Sequence, residues 1–424
     1  MESRRGQRSR IAIIGAGVSG LVCAYLLDRD HDVTLFEAEE RVGGHANTTR
    51  VELEGRSFDV DTGFVVYNEV TYPNFVKLLD RLGVESEPTS MSFGVRCDRT
   101  GLEYCGTSLN TVFAQRRNLV RPSFYRMLRD IVRFNKDAQR LLEQGIEAPT
   151  LGEFFRVQRY GREFVEQYIV PMASAIWSAD PARTLDFPAH FFVRFFHNHG
   201  LLGMTGHLQW RVIRGGSRRY VEPLIRSFRD RIRTSTPVRS VSRLPDGVAV
   251  TPDGQPEERF DEVILATHSD QALRLLSDPT ESERQLLSAL PFQENETVLH
   301  TDDSILPRNR RARASWNYRI PADGGDRVTV TYDMSRLQNL ETGRPVCVSL
   351  NESGYVNPAK VIRRMESAHP LFTPGSLEAQ ARHAEISGAG RTHFCGAYWR
   401  NGFHEDGVVS ALRVCRHFGR GLES

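Results

Sequence analysis

The spacing of apolar and polar positions changes several times along the chain, and each change marks an element. Residues 11–14 form a short, β-branched apolar run, the pattern of a strand buried on both faces. A glycine-rich turn and a helical pattern follow, and residues 33–36 read as a second strand. Farther on, residues 238–241, 247–251 and 263–266 read as a β-meander, separated by Pro-Asp-Gly turns at 245–247 and 252–254. Between these blocks the period is helical, with apolar residues at i, i+3 and i+4 in "FYRMLRDIVRFNKDAQRLL" and "LGEFFRVQRYGREFVEQYIVPM". "RVTVTYDM" and "PVCVSL" then read as strands, "NPAKVIRRMES" as a helix, and 392–395 as a strand before a last helix that opens near Asp406. No stretch approaches the roughly 18 consecutive apolar residues of a membrane span.

The first strand, turn and helix carry chemistry. Gly15, Gly17 and Gly20 make G-x-G-x-x-G where the helix begins, so Gly15, Ala16, Gly17, Val18, Ser19 and Gly20 form a loop that brings backbone N–H groups to a pyrophosphate. Glu37 stands 22 residues after Gly15, at the end of the second strand, where a carboxylate accepts hydrogen bonds from ribose hydroxyls. Strand, loop, helix and acid together specify a dinucleotide site.

Beyond Glu37, "EAEERVGGHANTT" resembles the E-x-x-x-R-x-G-G-[RKH] extension of flavoproteins in the amine oxidase and phytoene desaturase superfamily. The resemblance places Arg41, Gly43, Gly44 and His45 beside the pyrophosphate and implies FAD as the cofactor. "RTHFCGAYWRNGFHEDGVVSALRVC" looks like the C-terminal flavin motif of the same proteins. It implies that Gly396 and Ala397 approach the cofactor and that the helix start at Asp406 and Val408 faces the flavin. Relatives keep an acid where Ala397 stands, so Glu405 or Asp406 become the candidates for the ribityl chain. "DVDTGFVVYNEVTYPNF" resembles the early acidic-glycine strand of the same proteins, which implies Gly63 and Phe64 near the ring system; the first meander strand, by the same resemblance, puts main chain near Val238 beside the adenine.

These segments alternate with others. The expected architecture is α/β, a Rossmann-like FAD-binding domain (1–84, 210–289 and 386–424) interleaved with a mixed α+β substrate-binding domain (85–209 and 290–385). Many amine oxidases of this superfamily keep a lysine on a strand of the substrate part. Here Lys77, Lys136 and Lys360 are the whole lysine complement, and each falls in a segment read as helical. The stretch 185–210 carries five phenylalanines and four histidines, at 190, 197, 199 and 207. A core helix with hydrogen-bonded histidines is its plain reading. The functional one is an apolar channel with His197 and His199 moving protons, His404 joining them, and Met172, Ile176 and Trp177 lining it.

"PMASAIWS", "FFHNHGLL", "QWRVIRGGSRRYV" and "GAYWRNGFHEDG" are similar to one bacterial subgroup, often encoded beside cyclopropane-fatty-acid-synthase-like methyltransferases, some of whose members desaturate methyl-branched acyl chains. The resemblance implies a desaturase of an unsaturated or methyl-branched acyl chain. An amine or amino-acid oxidase, a double-bond isomerase and a non-catalytic flavin protein are the alternatives. With a single dinucleotide fingerprint, electrons are expected to leave to oxygen, a quinone or a protein.

Composition narrows the rest. Fifty-five Lys and Arg against 53 Asp and Glu leave +2, so no nucleic-acid partner is expected. Six cysteines without CxxC or ligand spacing imply no metal and a reducing, cytoplasmic setting. The opening "MESRRGQRSR" is basic but has no apolar core after it, so no signal peptide is expected, and Arg4–Arg10 could assist a transient contact with a membrane surface.

Overall fold

The computed structural model describes residues 8–144, 150–203 and 208–423, so His207 and the first seven residues lie outside it. At its centre is a five-stranded parallel sheet in the order Ile232–Arg233, Asp32–Phe36, Arg10–Ile14, Glu262–Leu265, Thr392–Phe394. A parallel sheet needs cover on both faces. The helices Val18–Leu27 and His404–His417 cover one, in a core that includes Leu21, Cys23, Cys395, Val408 and Cys415. On the other lies an antiparallel meander, Val238–Arg243, Val248–Pro252 and Glu258–Phe260, packed through Phe36, Val241, Val250, Phe260 and Leu265.

The meander corrects the sequence reading. Its third strand is Glu258–Phe260, whereas Glu262–Leu265 belongs to the parallel sheet between Arg10–Ile14 and Thr392–Phe394. Val263, Ile264 and Leu265 are all fully buried, as a central parallel strand requires.

A seven-stranded sheet stands beside this unit, in the order Val361–Pro370, Phe292–His300, Cys347–Leu350, Val330–Asp333, Trp316–Ile320, Phe93–Cys97, Leu102–Cys105. Its first strand was expected to be a helix. Instead Val361–Pro370 pairs antiparallel with Phe292–His300, from His300↔Val361 to Phe292↔Pro370. Met365, Ser367 and His369, two apart, share one face of the strand, a period that a helical count over the same letters hides. A long partner strand overrides the local preference. The sheet also confines Lys360 to a single 3-10 turn, Pro358–Lys360, at the head of this strand.

Helices Pro122–Gln144, Leu151–Val157, Val170–Trp177 and Ala189–Asn198 pack together around Phe134, Phe155, Phe164, Phe187, Phe192 and Phe196. A wide π-turn at Val165–Ile169 leads into Val170–Trp177. Pro171 has no N–H to give the carbonyl one turn back. Tyr104 takes that place, its hydroxyl donating to Gln167 O at 2.7 Å. Replacing the donor leaves a buried carbonyl unsatisfied, so Tyr104→Phe should lower stability by about 1–3 kcal/mol. The urea midpoint of the holoenzyme measures it, and an unchanged midpoint would show that the carbonyl finds another donor.

Candidate functional site

A single cavity of about 1170 Å³ runs from the parallel sheet to the seven-stranded sheet. Its first end is built at the carboxyl edge of the parallel strands, where α/β folds hold nucleotides. Gly15, Ala16, Gly17, Val18 and Ser19 line it, with Glu37, Arg41, Gly44 and His45 from the next segment and Thr236, Val238 and Arg239 from the edge. The Glu37 carboxylate accepts from Ala16 N at 2.7 Å and Glu39 N at 2.9 Å, which fixes it and leaves lone pairs for a sugar. Arg41 donates to Gly44 O at 2.8 Å and so braces the glycine pair.

The backbone here fits FAD. A Cβ on Gly44, at φ +54°, would stand 3.0 Å from Gly17 Cα, so glycine at 44 lets the two segments lie together against one pyrophosphate. Gly17 itself has nothing within 4 Å on its Cβ side and opens to the cavity. The helices Val18–Leu27 and His404–His417 start side by side, Ser19 Oγ donating to Gly407 O at 3.0 Å, and bring two positive helix ends to the same trough. Gly63 passes His45 O where a Cβ would be 2.3 Å away, and Gly63, Phe64, Gly396 and Ala397 continue the wall toward the ring end.

The second end is mostly apolar. Met91, Met172, Ile176, Phe195, Trp316 and Met365 line it. Trp177 also lines it, though it is almost wholly buried among Phe187, Phe192 and Phe195 and donates Nε1–H to Asn401 O at 3.2 Å. Asp61 reaches the wall but is taken up internally. Its carboxylate accepts from Ser217 N, Ser217 Oγ, Thr48 Oγ1 and Gln338 Nε2. Burial still lifts it to about 6 against those four donors.

Histidines separate sharply. His197, expected to react, is exposed on the far side of Ala189–Asn198, makes a long contact with Asn198 and does not reach the cavity. A helix that buries Phe192, Phe195 and Phe196 turns position 197 outward. His199 does line the cavity. Its Nδ1 lies 2.9 Å from Phe195 O, and a carbonyl only accepts, so Nδ1 carries the proton. Nε2 is thereby the basic nitrogen, 3.3 Å from Thr71 Oγ1, whose hydroxyl in turn accepts from Asn68 Nδ2 at 2.8 Å. Burial holds His199 below the usual imidazole range, so it is neutral near pH 7. His404 lines the cavity too, stacked on Phe64 at 3.6 Å and bonded through Nε2 to Tyr220 OH at 2.8 Å, and burial pushes it down to about 3.

His369 was not anticipated. Glu296 N–H donates to Asn351 Oδ1, so the Asn351 amide nitrogen faces Asn295 Oδ1 at 2.8 Å, and Asn295 Nδ2 donates to His369 Nδ1 at 3.0 Å. That chain fixes Nε2 as the protonated nitrogen of His369, at the cavity wall and 5.4 Å, ring to ring, from His45. Burial lowers His369 to about 3 and His268, which lines the same wall, to about 4. The sequence hid His369 inside a supposed helix. His268 was findable, since it follows the carboxyl end of a central strand.

Other expected contacts are redirected. Glu405 caps the helix Pro73–Leu82, accepting from Asn74 N, Asn74 Nδ2 and Phe75 N, and so is not free for a ribityl chain. Asp406 accepts from Phe403 N at 2.9 Å and caps its own helix. Neither lines the cavity, nor do Gly20, Gly43 and Val408, of which Val408 is packed in the core. Gly20 and Gly43 act by shape: a Cβ on Gly20 would meet Gly15 O at 2.0 Å.

The sequence profile of the flavin containing amine oxidoreductases matches residues 18–417. AofH of Mycobacterium tuberculosis, whose name places it among flavin-containing monoamine oxidases, is 28% identical over 279 residues, 63% of this chain; the match spans 59% of AofH. Protoporphyrinogen oxidase 2 of Arabidopsis thaliana is 30% identical over 175 residues, 41% of this chain and 33% of that one. Among solved structures, the cyclohexylamine oxidase of Brevibacterium oxydans IH-35A superposes with a TM-score of 0.70 at 16% identity, covering 98% of this chain and 100% of the other. The CLA-producing fatty acid isomerase of P. acnes gives 0.68 at 15%, covering 99% and 100%. The chain belongs to the flavin containing amine oxidoreductase family, with FAD as its cofactor, and spans about three-fifths of the length of AofH.

Gly44→Ala should weaken FAD binding by tenfold or more, since strain and the 3.0 Å approach to Gly17 act together. Flavin absorbance per protein after dialysis against FAD checks it, and full retention of flavin would break the assignment of this glycine pair to the pyrophosphate.

Proposed function

We propose that the enzyme desaturates an apolar acyl chain, unsaturated or methyl-branched, and that His199 is its proton acceptor. The fold hosts an amine oxidase and a fatty acid isomerase alike, so the lining has to choose. The observation that carries the reading is the separation of charge within the cavity. Glu37, Glu39, Arg41, Arg239 and Arg274 gather at the nucleotide end, Asp61 is occupied by its four donors, and Glu366 is exposed. No lysine lines the cavity among the described residues; Lys77 pairs with Glu423 and Lys360 with Asp302. An acyl chain suits such walls better than a cationic amine.

When bound, FAD would supply the two-electron acceptor for substrate hydride, with oxygen, a quinone or a protein as the final oxidant. The protein then has three tasks. Met172, Ile176, Phe195 and Met365 exclude water and hold the chain. His199 Nε2, with its tautomer set by Phe195 O, takes the proton from the carbon beside the one that loses hydride, and a C=C bond forms between them. His369 Nε2–H offers a fixed donor to an acceptor atom at the junction of the two ends. Positioned base catalysis of this kind contributes roughly 10²–10⁴-fold.

Anaerobic titration of the yellow protein with methyl-branched or unsaturated phospholipids should bleach the flavin band, and primary and secondary amines should not; the reverse pattern would overturn the reading. His199→Gln should slow lipid-driven bleaching by about 10²–10⁴-fold, whereas His197→Gln leaves it within about twofold of the parent, the ordinary result for an exposed site away from the chemistry. His199 works only as the neutral imidazole, so kcat/KM should fall as pH drops through a value below 6.5, and that limb should be missing from the residual activity of the Gln variant. An unchanged limb would assign the proton to another group.

A further inference from the structure

We infer that the surface formed by residues 109–136 is a docking face for a bilayer containing anionic phospholipid. The inference does not depend on which substrate is oxidised. Among the described residues, five of the nine large hydrophobic side chains left exposed fall in this short stretch. Val120 is 83% exposed and Leu109 74%, with Leu119, Tyr125 and Val132 near half. The centre of the patch is joined directly: Tyr125 OH donates to Leu119 O at 3.0 Å, the Phe113 and Tyr125 rings lie 6.1 Å apart, and Arg116 donates to Phe113 O at 2.8 Å. On the helix Pro122–Gln144 the residues Tyr125, Arg129, Val132 and Lys136 recur at i, i+4, i+7 and i+11 and are all exposed, while Phe124, Met127, Phe134 and Ala138 face the core. The helix therefore has two apolar aspects, one spent on the core and one mixed with cations and turned outward.

Charge supplies the partner. Seven Lys and Arg fall between 107 and 136 against one acid, Asp130, in a chain whose whole excess is +2. Asp130 is buried, accepts from Gly161 N at 2.8 Å and pairs with Arg129 at 3.5 Å and Arg133 at 3.8 Å, which leaves Arg116, Arg117, Arg121 and Lys136 without an acid of this stretch beside them. Of the neighbouring acids, Glu163 is taken up by Arg126, and Asp137 by Arg140 and Tyr160 OH. Arg117 also lines a second cavity, of about 740 Å³, where Arg96 and Arg319 are paired with Asp98 and so add nothing to the charge of the patch. Aliphatic tips beside guanidinium groups and a tyrosine match the layering of a membrane interface, with apolar side chains at the acyl boundary and cations among the phosphates. No helix among the described residues is long and apolar enough to cross a membrane, so the attachment is peripheral.

Co-sedimentation of the FAD-loaded protein with vesicles tests this. Phosphatidylglycerol–phosphatidylcholine vesicles should bind it at least tenfold more tightly than pure phosphatidylcholine, and raising the salt should remove most of that preference. Leu119→Asp with Val120→Asp should abolish binding, as should Arg116→Glu with Arg129→Glu, while both pairs keep the flavin spectrum and the bleaching by detergent-dispersed substrate. Equal binding of parent and variants, or no binding of the parent to either vesicle, would overturn the inference. So would a dimer in sedimentation velocity that the Asp pair dissociates, which would give this face to a second copy. A protein that binds vesicles but oxidises no lipid would leave the docking face standing and remove only the proposed substrate.

Discussion

Four close approaches by glycines, three of them between separate segments of the chain, leave little or no room for a side chain in this protein. Gly20 lies against Gly15 O, Gly44 against Gly17 Cα, Gly63 against His45 O, and Gly407 against the Val18 side chain at Cγ1, where an added Cβ would come within 2.0, 3.0, 2.3 and 2.6 Å respectively. Everything else is arranged by these approaches. They bring two helix starts to one trough, line that trough with N–H groups, and oblige the two chain termini of the fold to close on each other through Ser19 and Gly407. The intervening segments are then free to differ, because the nucleotide end is defined by main chain.

The second organising feature is the segregation of polarity. Charged cavity groups sit at the nucleotide end, are satisfied by neighbours or, as Glu366, face solvent, so the far end is lined mostly by sulfur, aliphatic and aromatic side chains. Into that low-polarity space the fold admits imidazoles and sets each by a hydrogen bond outside the cavity. Phe195 O makes His199 a base at Nε2, and the Asn351–Asn295 relay makes His369 a donor at Nε2. Burial keeps both neutral, so the two rings have opposite roles at the same pH. Tautomer control by neighbours lets one residue type supply both halves of a proton inventory.

Much of this was legible in the sequence where local chemistry decides. The glycine fingerprint, Glu37, the pair Gly43–Gly44 and the cavity positions of Met172, Ile176 and Trp177 could be read because turns, helix starts and helical faces follow short-range rules. What failed was decided by distant partners. Val361–Pro370 is a strand only because Phe292–His300 runs beside it, and with that strand went His369. Glu405 and Asp406 looked available because their capping partners, Asn74 and Phe75 among them, lie hundreds of residues away or depend on the exact helix start. His197 and His199 are two residues apart on one histidine-rich stretch, and only the packing of Phe195 and Phe196 decides which of them faces inward.

The most direct test of the central claim is mass analysis of the acyl chain itself. Enzyme would be mixed anaerobically with a methyl-branched, unsaturated phospholipid at one equivalent of substrate per flavin, and the released acyl chains weighed. The account predicts a product lighter by two hydrogens, formed in proportion to the flavin bleached. Acyl chains of unchanged mass, with or without a moved double bond, would contradict it.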